Sequence, residues 1–166
     1  MALRRALENV AETVRDLELA AEEKYWEGLE LMVAGHPGTG VYLMGLCAEM
    51  WLKTSYFHVL GSAPADPVRL LLSPARVAGQ RLFPAVRHEA YHSLRFWRSM
   101  LLSQRRRLGK HFDPRLKKQF TRHVTKLYSI WWIEMRYRPD RAGIRDAQTV
   151  YEAVTWLRAH RADLRR

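Results

Sequence analysis

Val41-Tyr42-Leu43-Met44-Gly45-Leu46-Cys47-Ala48-Glu49-Met50-Trp51-Leu52-Lys53 decides the fold class of this chain. It contains the longest apolar run, yet Glu49 interrupts it and it is too short to cross a bilayer. The run reads instead as a core helix over residues 41–60, with Leu43, Leu46, Cys47, Met50, Thr54 and Phe57 on one face. Gly45 and Ala48 are small enough to let a neighbouring element approach closely. Gly61 and the loop Ser62-Ala63-Pro64-Ala65 end the helix, and Asp66-Pro67 looks like an N-cap followed by proline at the first helical position.

Upstream, apolar residues recur at Leu3, Leu7, Val10, Val14, Leu17 and Ala21, the stripe of an amphipathic helix that runs to about residue 33. It stops at Gly35-His36-Pro37-Gly38-Thr39-Gly40. Downstream, Pro67, Pro74 and Pro84 allow only short helical pieces, over 68–72 and again after Ser73-Pro74. A long helix is predicted over 85–108, with Val86, Ala90, Leu94, Trp97, Leu101 and Leu108 inward and Gly109 as its stop. Asp113-Pro114 caps the next, which aligns Phe120, Val124, Leu127, Trp131 and Met135 and ends before Pro139. A final helix over 146–164 turns Val150, Val154 and Leu157 inward. No stretch sustains the period-two alternation of a strand. The expectation is a single all-α domain over 1–166, an up-and-down bundle of four to five long helices plus one or two short ones.

At 166 residues, with 48% hydrophobic and 27% charged, the chain is one globular domain's worth and neither disordered nor collagen-like. Met1-Ala2-Leu3-Arg4-Arg5 leads into acidic residues without the apolar core of a secretory signal, so a cytoplasmic, membrane-free protein is expected. The single cysteine, Cys47, excludes an intrachain disulfide and any site needing two thiolates.

The net charge of +11 is unevenly spread: residues 1–66 carry 5 Lys/Arg against 10 Asp/Glu, and residues 67–166 carry 23 against 7. An arginine-rich composition, 22 Arg to 6 Lys, accounts for part of this. Density accounts for more. Arg105, Arg106, Arg107, Lys110, His111, Arg115, Lys117, Lys118, Arg122 and Lys126 crowd the turn between two predicted helices, a pattern suited to RNA or another polyanion. Trp97, Trp131, Trp132, Trp156 and Tyr128 stand at core spacing and read as packing rather than base stacking. The Gly35 to Gly40 stretch follows a helix, not a strand, and is no phosphate-binding loop.

Three segments, taken in order, resemble the HEPN superfamily of small helical bundles: the 41–53 stretch with its small residues, Glu49 and Leu52-Lys53; His92-Ser93-Leu94; and Trp132-Ile133-Glu134-Met135-Arg136-Tyr137 with its Arg-Tyr pair. The resemblance implies family-motif roles for Glu49, Lys53, His92, Arg136 and Tyr137. It also implies a homodimer, an RNA- or nucleotide-associated role in a prokaryotic toxin, defence or nucleotidyltransferase-linked system, a possible nucleotidyltransferase partner protein, and no cofactor. Read as residues alone, Glu49 and Lys53 are an i, i+4 pair on an apolar helix, which serves equally as a plain helix ion pair.

Many HEPN proteins are metal-independent ribonucleases with an Arg-x(4–6)-His motif, in which histidine supplies an acid or base near neutral pH and arginine a cation for phosphate. Arg87 and His92 satisfy the spacing here. In the family's nucleases the motif falls where Arg136 stands, and no histidine follows Arg136 in range, so the resemblance favours a non-nucleolytic member. His88-Glu89-Ala90-Tyr91-His92 is also a literal His-Glu-x-x-His. On one helix its histidines would lie about 40° apart, able to share zinc while Glu89 activates water, with Glu134 or His123 as a third ligand. Against zinc chemistry stand Arg95 and Arg98, where the extended motif would continue, and the lack of an edge strand to hold a peptide.

Overall fold

Thr13 is extended (φ −93°, ψ 167°) and starts the first helix with a capping box. Its hydroxyl accepts from the Asp16 N–H at 3.2 Å while the Asp16 carboxylate accepts from the Thr13 N–H at 3.0 Å. In this computed structural model, which describes residues 12–83 and 92–166, α1 therefore spans Val14–Val33. The predicted helix does not pass back through Thr13, and Leu3, Leu7 and Val10 lie outside the described residues.

Gly35, at φ +86°, turns the chain, and Pro37 at the first helical position opens α2, Pro37–Val59. The expected glycine loop is thus short, because Gly38 and Gly40 belong to α2. Gly40 is small for a packing reason: a Cβ there would lie 2.4 Å from Met32 Cγ and 2.7 Å from the Gly28 carbonyl oxygen, where α1 and α2 pass closest. α2 has no single buried face. Met44, Cys47, Ala48, Trp51, Leu52 and Phe57 are all buried, while Leu43, Leu46 and Met50, expected inward, are only half-buried. The helix runs through the middle of the molecule, with α1 against it and later elements around it.

α3 spans Val68–Leu82 as one helix across Pro74, where two short pieces were expected. Its apolar spacing continues through the proline, with Val68, Ala75 and Gly79 buried. Pro74 and Leu70 are both exposed, so the Leu70 carbonyl that loses its N–H partner stands on the wet side of the helix. α4 spans Leu94–Arg107 and is capped by the Ser93 hydroxyl, which accepts from the Phe96 N–H at 3.3 Å. Within the span predicted as one helix over 85–108, α4 thus begins only at Leu94, and Leu108 is exposed at its C-cap. Val86 and Ala90 lie outside the described residues.

Asp113 caps α5, Pro114–Ile130, by accepting from the Arg115 and Leu116 N–H groups at 2.9 and 3.2 Å. Phe120, Val124, Leu127, Trp131 and Met135 are all buried as the spacing predicts, although α5 ends at Ile130 and Met135 sits on a 3-10 turn, Ile133–Tyr137. A second 3-10 turn, Pro139–Arg141, leads to α6, Ile144–Ala159. His160 (φ −104°, ψ 12°) breaks the expected final helix and starts the short α7, Arg161–Arg165. α4, α6 and α7 all pack on α2, and α5 on α4 and α6. The all-α helical bundle is as the periodicity predicts. Among the described residues there is no strand, only an isolated bridge between Thr13 and Pro67, and no helix long and apolar enough to cross a membrane.

Candidate functional site

Glu49 places a carboxylate in the middle of the molecule, 3% exposed, on the side of α2 that faces the start of α4. Burying a charge there is costly unless it is paired and hydrogen-bonded. Two groups meet the need. The Lys53 ammonium, one turn on, forms an ion pair with Oε1. The Nδ1 of His92 stands 3.2 Å from Oε1 and 3.1 Å from Oε2.

The packing of α4 on α2 sets this geometry. Trp97 is fully buried against Tyr56 and Phe57 of α2, with ring centroids 5.9 and 6.0 Å apart, and the Lys53 ammonium lies 5.5 Å from the Trp97 ring. Ser93 then fixes where α4 begins, and His92 is the residue immediately before it. A carboxylate on Nδ1 selects the tautomer of a neutral imidazole that leaves Nε2 free to accept a proton. The side chain of His92 is 51% exposed, so the buried carboxylate communicates with solvent through this ring.

The structure thus brings Glu49, Lys53 and His92 together. The backbone of Arg136 and Tyr137 forms the 3-10 turn after α5, and Tyr137 is exposed. Arg87, His88 and Glu89 lie outside the described residues. His92 stands in a turn ahead of the Ser93 N-cap, and the rest of the His-Glu-x-x-His stretch lies outside the described residues. Glu134 is exposed, and His123 is stacked on Trp156 at 4.8 Å, as is His160 at 4.1 Å. Among the described residues no group of three His, Cys, Asp or Glu is placed to hold a metal ion.

The basic cluster divides in two. Arg105 is 6% exposed, stacks 3.9 Å over Phe112 and donates from Nη1 to the Leu164 carbonyl at 3.4 Å, so it ties α4 to α7. Burial lowers its pKa below the ordinary guanidinium range. Arg106, Arg107, Lys110, His111, Arg115, Lys117, Lys118 and Arg122 are exposed, and none has an ion-pair partner among the described residues. Arg115, Lys118, Arg122 and Lys126 follow one another at i, i+3, i+7 and i+11, opposite the buried Phe120, Val124 and Leu127.

Sequence reasoning missed a second polar assembly. Glu22 of α1 receives Arg158 and Arg161, and Glu18 receives Arg165 at 2.8 Å and His58 Nε2 at 2.6 Å. Its only signal is an acidic i, i+4 pair near one end of the chain and arginines at i, i+3 and i+7 near the other. No family model, curated protein or solved structure matches the chain.

Proposed function

We propose that the chain is a HEPN-like helical module, cytoplasmic and homodimeric, that binds RNA or another polyanion through the exposed cations of the α4–α5 turn and works beside a nucleotidyltransferase in a toxin or defence system. The observation that carries the binding role is the set of exposed basic side chains at that turn without carboxylate partners among the described residues. Their position adds to it. Cations in the last turn of α4 suit its dipole, but Arg115, Lys117 and Lys118 stand at the positive N-terminal end of α5, where they oppose helix stability. A site that retains unfavourable charge has a use for it other than holding the helix.

RNA or single-stranded DNA is expected to bind with weak sequence preference and with affinity falling steeply as salt rises. Arg106→Glu with Lys117→Glu should weaken binding across sequences and flatten the salt slope by about 0.7 to 0.9 per lost phosphate contact, whereas His92→Ala should leave binding nearly intact. Failure of the wild type to bind any nucleic acid at low salt removes this reading.

A metal-independent ribonuclease using Arg87 and His92 is the second reading, favoured by one observation. A buried carboxylate orients a half-exposed imidazole through Nδ1, which is how a general base is commonly held. RNA cleavage in EDTA that is abolished by Arg87→Ala and by His92→Ala, with binding retained, would put the ribonuclease first.

A further inference from the structure

α1 and the C-terminal helices enclose a cleft of about 510 Å³. One wall is Arg15, Glu18, Leu19 and Glu22, the i, i+3, i+4, i+7 face of α1; the other is Arg158, Arg161, Ala162 and Arg165, on either side of the break at His160. We propose that this cleft is a binding site for a phosphomonoester dianion, with Arg15, Arg158, Arg161 and Arg165 as its donors.

Charge is the first argument. Four guanidinium groups face two carboxylates, an excess of two positive charges in a partly enclosed space. Asp16, beside Arg15, is not part of the lining, and its carboxylate is turned back onto the N–H and hydroxyl of Thr13.

Unused donors are the second. A guanidinium carries five N–H donors, and those here spend few of them on the protein. Arg158 gives Nε and Nη2 to Glu22, Arg161 gives Nε to the Arg158 carbonyl and Nη1 to Glu22, and Arg165 gives Nη2 to Glu18. The Nε of Arg165 is buried with no partner, and Arg15 forms no ion pair among the described residues. The three C-terminal arginine side chains are only 27 to 33% exposed. Arg158 is further held against Tyr25 and Trp26, at 4.8 and 5.0 Å, and Arg161 against Trp51 at 5.0 Å. The carboxylates and rings thus fix the guanidinium planes before a ligand arrives, which lowers the ordering cost of binding.

Shape is the third. The space exceeds what a bare phosphate needs, and Leu19, 54% exposed, gives it an apolar wall. A phosphate carried on a body that covers Leu19 fits better than the inorganic ion.

The test is calorimetric titration of the full chain at pH 8 and low ionic strength, comparing phenyl phosphate, a dianion at that pH, with benzenesulfonate, a monoanion of similar shape. Saturable binding of phenyl phosphate, at least about tenfold tighter than benzenesulfonate, is expected. Arg161→Gln should weaken it about tenfold or more. Arg15→Gln, at an exposed residue that the fold does not need, should do the same with the melting temperature unchanged. Arg106→Glu with Lys117→Glu should leave it in place, which separates this cleft from the α4–α5 surface. Equal binding of the two anions, or phenyl phosphate binding untouched by Arg15→Gln, overturns the proposal. Competition by a 5′-phosphorylated oligoribonucleotide but not by its 5′-hydroxyl counterpart identifies a polymer end as the ester's source, and competition by neither identifies a small molecule; either result upholds the site.

Discussion

The indole of Trp131 occupies the space that a side chain at Gly45 would need. A Cβ on Gly45 would lie 2.1 Å from Cδ1 and 2.2 Å from Cγ and Nε1 of that ring. The ring has little freedom to move, since it is buried and Nε1 donates to the Tyr42 carbonyl at 3.1 Å. The close approach that the sequence suggests at Gly45 is therefore made by the end of α5.

Gly45→Ala should destabilise the protein by about 3 kcal/mol, the upper range for overpacking a filled core. Gly143→Ala is the control, because nothing among the described residues lies within 4 Å of a Cβ there; with the α6 N-cap as its remaining cost, its effect should stay within about 1 kcal/mol. Urea unfolding midpoints compare the two, and equal shifts would mean that Trp131 yields easily.

Lys53→Met should cost about 3 kcal/mol, because it leaves the Glu49 carboxylate buried with His92 as its remaining partner. Glu49→Leu combined with Lys53→Met should recover most of that loss by removing the charge together with its partner. A double variant less stable than the single one would show that the ion pair contributes net stability.

Cys47 should resist thiol reagents while the chain is folded. It is fully buried, and burial pushes its thiol well above the ordinary range. Labelling by a disulfide reagent should follow the unfolding transition in urea. Stoichiometric labelling of the native protein within minutes at pH 8 would contradict the packing around α2.

His123 makes stability depend on pH. Desolvation, then the neighbouring Lys126 and Arg122, lower its pKa from the ordinary 6.5, so the unfolded chain takes up the proton more readily than the folded one. Its contribution is complete above about pH 6.5 and is lost as pH falls from there through the lowered folded value. His123→Phe, which keeps a ring against Trp156, should flatten the stability curve in that window. An imidazole that titrates at 6.5 in the folded protein, by NMR, would abolish the effect, and one that titrates above it would reverse the sign.

The bundle was legible because its punctuation is local: Gly35, Gly61, Gly109 and Asp113-Pro114 end or start helices by their own chemistry. Errors arose where tertiary packing overrides such signals. Pro74 is carried inside α3 by the apolar face on both sides of it, and Gly40 is helical where α1 lies against it. Ser93 as a cap was hidden within an apparently continuous apolar period. At the candidate site, Glu49 with Lys53 is visible at i, i+4, but the approach of His92 is set by the packing of Trp97 on Phe57 and Tyr56. The pairing of Glu22 with Arg161 spans 139 residues and no local pattern announces it.

A central helix wrapped by both halves of the chain has a consequence for biosynthesis. α2 ends at Val59, and α6, which covers part of it, begins at Ile144, about 85 residues later. At roughly 5 to 20 residues per second, a ribosome leaves that flank of α2 without its cover for several seconds. During that interval Val41, Met44 and Leu52, all buried in the folded chain, belong to a nascent chain in which α1 is the main shelter.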